Sequence, residues 1–271
     1  MKSTKYKMLV LDLDGTLTNA KKEITPRTKA ALMQAQERGV RVVLASGRPT
    51  YGIVPLAEEL ELARYEGFIL AFNGAKIIEY STQEVVFEQT LSPEIVPHLY
   101  EAAHQTGMTI LTYQGEGIAA TNKEDEYVAI EAFINKMPVV QYDDFPHQIV
   151  YPINKCLIVG EPQKLHTLEL SIAKEMNGRI SVYRSADYFL ECVPLNVDKA
   201  ASLERLINRI DIEREEIIAC GDGHNDLSMI AYAGLGVAME NATDQLKAHA
   251  GFITLSNEED GIAHVIEKFL I

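Results

Sequence analysis

Short β-rich apolar runs alternate with helical patterns through the first third of the chain. Lys7 to Leu13 contains the unbroken run Met8 to Leu11 and reads as a strand. Pro26 to Arg38 reads as a helix, with Thr25 as its N-cap, Pro26 at its first position and Gly39 just past its end. Val40 to Ala45 follows as a second strand, Pro49 to Leu62 as a second helix and Phe68 to Phe72 as a third strand. Asn73-Gly74 then introduces a hairpin through Ile77-Ile78 and Val85-Val86. Such alternation is the pattern of a parallel sheet with crossover helices.

From about Glu88 to Cys192 the rhythm changes. Paired strands surround Gly115, helices lie near Ile95–Gln105 and Tyr127–Ile134, a strand and helix fill Cys156 to Met176, and a hairpin turns around Ala186. Alternation resumes with a helix from Lys199 to about Arg209, a strand Glu216–Cys220, a helix from Asn225, a strand near Leu235–Ala238 and a last helix reaching Phe269. The expected fold class is α/β: a Rossmann-like doubly wound parallel-sheet core with an inserted α+β domain. Its expected limits are 1–85 with 193–271 for the core and 86–192 for the insertion. The chain shows no fixed-period repeat and no low-complexity tract.

Composition narrows the function. At 271 residues, 47% hydrophobic and 24% charged, the chain is long enough for one large or two ordinary domains. A formal net charge of −14 argues against a nucleic-acid or anionic-membrane partner, because both select positive surfaces. The longest uncharged apolar stretch, Gly67 to Ala75, is far shorter than the ~20 residues of a membrane span. The apolar run after the amino-terminal lysines reaches Asp12 too early for a secretory segment, so a cytoplasmic protein is expected, a monomer or weak homo-oligomer. Cys156, Cys192 and Cys220 form no C-x-x-C pair and are expected as buried reduced thiols.

The candidate chemistry sits where strands end. In Asp12-Leu13-Asp14-Gly15-Thr16 the two carboxylates, two residues apart on a strand, share a face and can project beyond its carboxyl end, where open α/β sheets bind ligands. An EF-hand loop is ruled out because Leu17 stands where the sixth-position glycine is required; a plain turn is the remaining alternative. A second cluster, Gly221-Asp222-Gly223-His224-Asn225-Asp226, follows the strand ending at Cys220. It is not a dinucleotide fingerprint, since Asp226 occupies the place of the third glycine. If the two strands are neighbours, Asp12, Asp14, Asp222 and Asp226 converge and require a cation, and all-oxygen ligands beside a phosphate favour Mg²⁺. Ser46-Gly47-Arg48 ends the second strand ahead of a helix, where Ser46 and Gly47 can hold phosphate oxygens or merely cap the helix. Lys199 opens a helix, a position unfavourable to a cation unless an anion answers it.

Taken in order, DLDGT at Asp12, ASGR at Ser46, Lys199 and GDGHND at Asp222 resemble the four motifs of the haloacid dehalogenase-like superfamily. FNGA at Asn73 and the insertion between the second and third motifs resemble the Cof-like phosphatases, whose α/β cap is inserted there. The resemblance implies an Mg²⁺-dependent phosphatase acting on small phosphorylated metabolites, sugar phosphates first, through an aspartyl-phosphate. A phosphomutase or phosphotransferase, or a non-catalytic sugar-phosphate sensor, are the alternatives. It implies Asp12 as nucleophile, Asp14 as general acid and base, Ser46, Gly47, Lys199 and Asn225 as phosphate or substrate ligands, and Asp12, the Asp14 carbonyl, Asp222 and Asp226 at the metal. The lysine departs from the family pattern: Asp198 precedes it and Ala200 follows it, where relatives usually have serine or asparagine and glycine.

Overall fold

The unbroken apolar runs become buried strands. The computed structural model of the chain describes residues 5–271, so the first four residues of the lysine-rich amino-terminal stretch lie outside the described residues. Two compact units emerge. The first comprises the described residues to Phe87 together with Asp198–Ile271, and the second comprises Glu88–Val197. The change-over points at Phe87/Glu88 and Val197/Asp198 thus fall beyond the 85/86 and 192/193 expected from the pattern.

In the first unit the strands are β1 (Met8–Leu11), β2 (Arg41–Ala45), β3 (Phe68–Ala71), β4 (Lys76–Glu79) and β5 (Glu84–Glu88), whose last residue is the first of the second unit. Within the second lie β6 (Thr109–Gln114), β7 (Gly117–Ala120), β8 (Val139–Gln141), β9 (Cys156–Val159), β10 (Ser181–Ala186) and β11 (Phe189–Val193). The chain then returns to the first unit with β12 (Ile217–Gly221), β13 (Leu235–Ala238) and β14 (Phe252–Ile253). The core sheet has the order β14-β13-β12-β1-β2-β3-β4-β5, parallel from β14 through β3, with β4 antiparallel to β3. Every residue of β1, β3 and β12 is buried, as in a sheet covered on both faces. This is the α/β core the alternation predicts.

Register decides what comes together. β1 lies between β2 and β12, with Leu11 opposite both Leu44 and Cys220. The residues just past these ends, Asp12, Ser46 and Asp222, therefore leave one edge of the sheet side by side. The helix Pro26–Glu37 begins as expected, Thr25 accepting a hydrogen bond from the Thr28 N–H. Asn73-Gly74 lies in a 3₁₀ turn, Phe72–Gly74, with Phe72, Asn73 and Gly74 all at positive φ.

The second unit carries a sheet of order β10-β11-β9-β6-β7-β8, antiparallel except for the β7–β8 pair. Helices Val96–Gln105 and Pro162–Glu175 cover one face through an apolar cluster that includes Leu99, Ile110, Ile158, Leu168 and Leu190. Alternation places Glu191 on the other face from Leu190 and Cys192. The sequence pattern did not anticipate β8, β14, or the helices Phe145–Gln148 and Asp244–His249. Each is two to six residues long, too short for a period to register.

Candidate active site

Asp12 begins where β1 ends, and its backbone N–H donates to the Cys220 carbonyl at 3.1 Å, continuing the ladder to β12. Its carboxylate is buried, 6% exposed, and Oδ1 lies 2.6 Å from Lys199 Nζ. The same ammonium lies 2.6 Å from Asp226 Oδ1. Lys199 is 1% exposed, so an unfavourable position at the start of a helix is answered by two carboxylates inside the protein. Asp198 fills the role that serine or asparagine would: it is the N-cap of the helix Lys199–Ile207, accepting from the Ala201 N–H at 2.9 Å.

Asp226 is completely buried, and both of its oxygens are engaged: Oδ1 by Lys199, and Oδ2 by the backbone N–H groups of Asp222 at 3.0 Å and Gly223 at 2.9 Å. It therefore shapes the turn that presents Asp222. A Cβ on Gly221 would stand 2.5 Å from the Asp226 Cβ, so the turn closes only with glycine there. Asp222 accepts from the Thr16 hydroxyl at 2.8 Å. Gly15, at φ +86, leaves room for it, since a Cβ would come within 2.4 Å of Asp222 Oδ2.

Asp12, Asp222 and Asp226 can each offer an oxygen within 4.8 Å of the others, the one such group among the described residues. Burial, then the Asp226 charge, push Asp12 well above the usual carboxylate range, against the pull of Lys199. Burial pushes Asp222 up to about 6, against the Thr16 hydrogen bond. Burial would lower Lys199, but Asp12 and Asp226 hold it above its ordinary value. Three carboxylates faced by one ammonium form a pocket of excess negative charge suited to a cation.

The Asp14 side chain does not join that group. Arg48 holds it in a two-pronged grip, Nε to Oδ2 at 2.7 Å and Nη2 to Oδ1 at 2.6 Å, and Lys22 Nζ lies 2.7 Å from Oδ1. Burial would raise Asp14, but the Arg48 and Lys22 contacts bring it below its ordinary value. The expectation that all four carboxylates crowd together is corrected accordingly: β1 sends Asp12 and Asp14 past the same edge, but different cations take them. The roles of Arg48 and Lys22 escaped the sequence reading; Arg48 lay in view inside ASGR, while nothing marked Lys22.

Ser46 is buried, and its hydroxyl accepts the Arg48 N–H at 3.1 Å. The Ser46 carbonyl accepts the Asn73 N–H at 2.8 Å, and Asn225 Nδ2 donates to Asn73 Oδ1 at 3.1 Å. Asn73, a β3-end residue, thus links the turn after β2 to the turn after β12. Gly47 packs against it, since an added Cβ would lie 3.3 Å from the Asn73 amide. Ser46, Gly47, Asn225 and Lys199 all belong to this one sheet edge.

The chain matches the family model for haloacid dehalogenase-like hydrolases over residues 9–266. A crystal structure of a haloacid dehalogenase-like hydrolase from Bacteroides thetaiotaomicron is 52% identical, with a TM-score of 0.95 over 97% of this chain and 99% of that one. The Bacillus subtilis (strain 168) protein YxeH is 32% identical across 98% of this chain and 99% of its own length. The 5-amino-6-(5-phospho-D-ribitylamino)uracil phosphatase YcsE of the same organism is 28% identical across 98% and 96%. A nearly full-length match, joined to the ordered motifs at one sheet edge, shows that the chain belongs to the haloacid dehalogenase-like hydrolases, as a phosphatase of the Cof-like type.

Proposed function

We propose that the chain hydrolyses small phosphorylated metabolites, polyol and sugar phosphates first, through an Mg²⁺-dependent aspartyl-phosphate on Asp12. The observation that carries this reading is the buried Lys199 between Asp12 and Asp226, with Asp222 adjoining. Asp226 already accepts from Lys199 and from two backbone N–H groups, which makes Asp12 and Asp222 the freer side-chain donors of the three. Mg²⁺ takes one or two carboxylates and fills its remaining positions with waters and phosphate oxygens, so the donor set fits it. Bound there, the ion would neutralise charge on the phosphoryl oxygens.

The chain's own groups divide the reaction into two displacements. In the first, an Asp12 oxygen attacks phosphorus, the bond to the leaving alkoxide breaks, and Asp14 gives that oxygen a proton. In the second, water attacks phosphorus, Asp14 takes its proton, and the bond to Asp12 breaks to release phosphate. Lys199, the Ser46 hydroxyl and the Gly47 amide hold the non-bridging oxygens, and Asn225 steadies them through Asn73. Asp226 orients Lys199 and the Asp222 turn. The inserted unit serves as a cap that selects the leaving group. The polyol preference is supported by the relative named for a phosphoribitylamino substrate. The free buried cysteines fit a reducing, cytoplasmic setting, and among the described residues no helix is long and apolar enough to cross a membrane.

Acid quenching during turnover of an aryl phosphate with Mg²⁺, followed by peptide mass spectrometry, tests the covalent step. A phosphoryl group on the Asp12 peptide is expected. Steady turnover with no such adduct would overturn the reading.

A further inference from the structure

Lys22 belongs to none of the motifs, yet the chain goes to some expense to aim it. Its backbone is left-handed, φ 62, a conformation that costs a residue with a Cβ ~1 kcal/mol or more. The turn that imposes it is closed from both sides. Asn19 N–H donates to the Glu23 carbonyl at 3.0 Å and Lys22 N–H to the Asn19 carbonyl at 2.9 Å. The Asn19 side-chain oxygen accepts from the N–H groups of Lys21 at 2.9 Å and Glu23 at 3.1 Å. From this collar Lys22 Nζ reaches Asp14 Oδ1 at 2.7 Å, although the lysine side chain is only 22% exposed.

Arg48 approaches the same carboxylate from the opposite side of the sequence. Its guanidinium is 6% exposed and spans two partners, with Nη1 donating to the Gly52 carbonyl at 3.2 Å while Nε and Nη2 grip Asp14. Gly52 lies in the first turn of the helix Thr50–Glu59, so the arginine is anchored to a rigid element. Its own backbone is fixed by the Ser46 hydroxyl and by the Phe72 N–H, which donates to the Arg48 carbonyl at 3.0 Å. A planar fork on both oxygens sets the plane of the Asp14 carboxylate, and a third contact on one oxygen removes the remaining freedom to slide.

We propose that Lys22 and Arg48 are positioning residues that form a two-sided clamp aiming the Asp14 carboxylate, and that this clamp governs chiefly the water-attack half of the reaction. This rests on the acid-base reading of Asp14 given above. A plain ion pair that ties the 19–25 turn to the sheet would need neither a left-handed lysine nor a bidentate arginine anchored elsewhere. Positioning would account for both, because a general base misaimed by about 1 Å can lose ~10²-fold in rate. Three charge-assisted contacts lower the basicity of the carboxylate but fix its direction, so what the clamp contributes to the water-attack half is aim. The leaving-group half, with an activated aryl phosphate, makes little demand on it.

The test is pre-steady-state turnover of an aryl phosphate with Mg²⁺ in Lys22→Met, Arg48→Met, Arg48→Lys and Asn19→Ala, each checked for folding by its melting temperature. Phosphoenzyme formation should stay within about threefold of the parent, while its decay slows by about tenfold in Lys22→Met and ~10² in Arg48→Met, so that the adduct accumulates. Arg48→Lys should recover part of the loss. Asn19→Ala should follow Lys22→Met at smaller amplitude, because it releases the collar and leaves the lysine in place. For the aryl phosphate, kcat and KM should fall together as decay becomes limiting, while kcat/KM, which reports formation alone, should hold steady in all four. Normal decay in a folded Lys22→Met would show the clamp to be structural only, and slowed formation with a raised KM would make Arg48 a phosphate ligand; either overturns the proposal. A parent enzyme that turns over with no adduct on Asp12 would instead overturn the covalent reading, and this inference with it.

Discussion

Each unit buries one lysine among carboxylates, and the two arrangements are finished differently. In the inserted unit Lys155, 4% exposed, lies 3.0 Å from Glu191. Neutral donors complete the cluster: Ser185 Oγ to Glu191 at 2.8 Å, and the Tyr113 hydroxyl and the Asn135 amide to Glu131. Burial still pushes Glu131 up, opposed by Lys155, Tyr113 and Asn135. In the core unit Lys199 faces Asp12, Asp226 and the adjoining Asp222, and Asp222 rises to about 6 despite Thr16. The inserted-unit cluster answers its carboxylates mostly with neutral donors of the chain, although Glu191 Oε2 and Asn135 Oδ1 accept no hydrogen bond; the core cluster sets three carboxylates against one ammonium. Buried charge by itself therefore does not mark a catalytic centre. An excess of carboxylates gathered at the carboxyl ends of neighbouring parallel strands is the better mark.

Replacing the nucleophile should break that contrast most severely. Asp12→Asn keeps the shape of the side chain and its place beside Lys199 but offers a poor nucleophile, so phosphate release should fall to the background rate with little change in melting temperature. Appreciable residual hydrolysis would leave the core cluster a binding site only.

The two lysines offer the next comparison. Lys199→Met and Lys155→Met each strand buried carboxylates, and each should cost about 3–5 kcal/mol, read by urea denaturation. If the core cluster is made for a cation, Mg²⁺ should restore part of the stability of Lys199→Met and none of that of Lys155→Met. Equal responses would mean that the ion screens charge generally and has no seat at Asp12 and Asp222.

Acidity gives a smaller effect of defined sign. Burial holds the Asp222 carboxyl at about 6 in the folded protein, above its ordinary 3.8, so the folded protein holds this proton more tightly than the unfolded chain. Its contribution to stability is present below about pH 4 and is lost as pH rises through 6. Metal-free protein should therefore lose on the order of 2 kcal/mol between these limits from this group, after allowance for its partial exposure. Asp222→Asn should flatten that slope, and Mg²⁺ affinity should fall below about pH 6 as protons compete for the same oxygen. An unchanged slope in Asp222→Asn would remove Asp222 as its source.

What the sequence disclosed depends on how local each signal is. Asp12, Asp222 and Lys199 were legible because they occupy strand ends and a helix start, positions where apolar runs stop abruptly at charges. That β1 and β12 are neighbours, on which their convergence hangs, is a fact of topology across some two hundred residues and entered only as a condition. Asp226 was recognised by type and place, and it does stand with Asp12 and Asp222, but spacing cannot reveal that two backbone N–H groups also claim one of its oxygens. Lys22 was invisible: a left-handed lysine in a turn of Asn, Ala and Lys has no compositional mark. The Lys155 cluster was equally hidden, since Tyr113, Glu131 and Glu191 come from two strands and a helix and form no pattern along the chain.

The finest way to sharpen the comparison removes one hydroxyl from each cluster. Thr16→Val deletes the donor 2.8 Å from Asp222, and Ser185→Ala deletes the donor 2.8 Å from Glu191. Each should cost about 1–2 kcal/mol of stability, the usual loss when a partly buried carboxylate forfeits a neutral hydrogen bond. Their kinetic consequences should separate. Without Thr16, only the Lys199 charge opposes the upward push on Asp222, so the apparent Mg²⁺ requirement should rise and its pH dependence should move to higher pH, for every substrate alike. Ser185 stands next to the end of β10 in the unit proposed to select the leaving group. Its loss should alter kcat/KM for polyol phosphates relative to an aryl phosphate by about threefold to tenfold, without touching the Mg²⁺ requirement. Should Ser185→Ala lower both substrates in equal proportion, the Lys155 cluster would be scaffold alone, and selection would have to be sought elsewhere in the inserted unit.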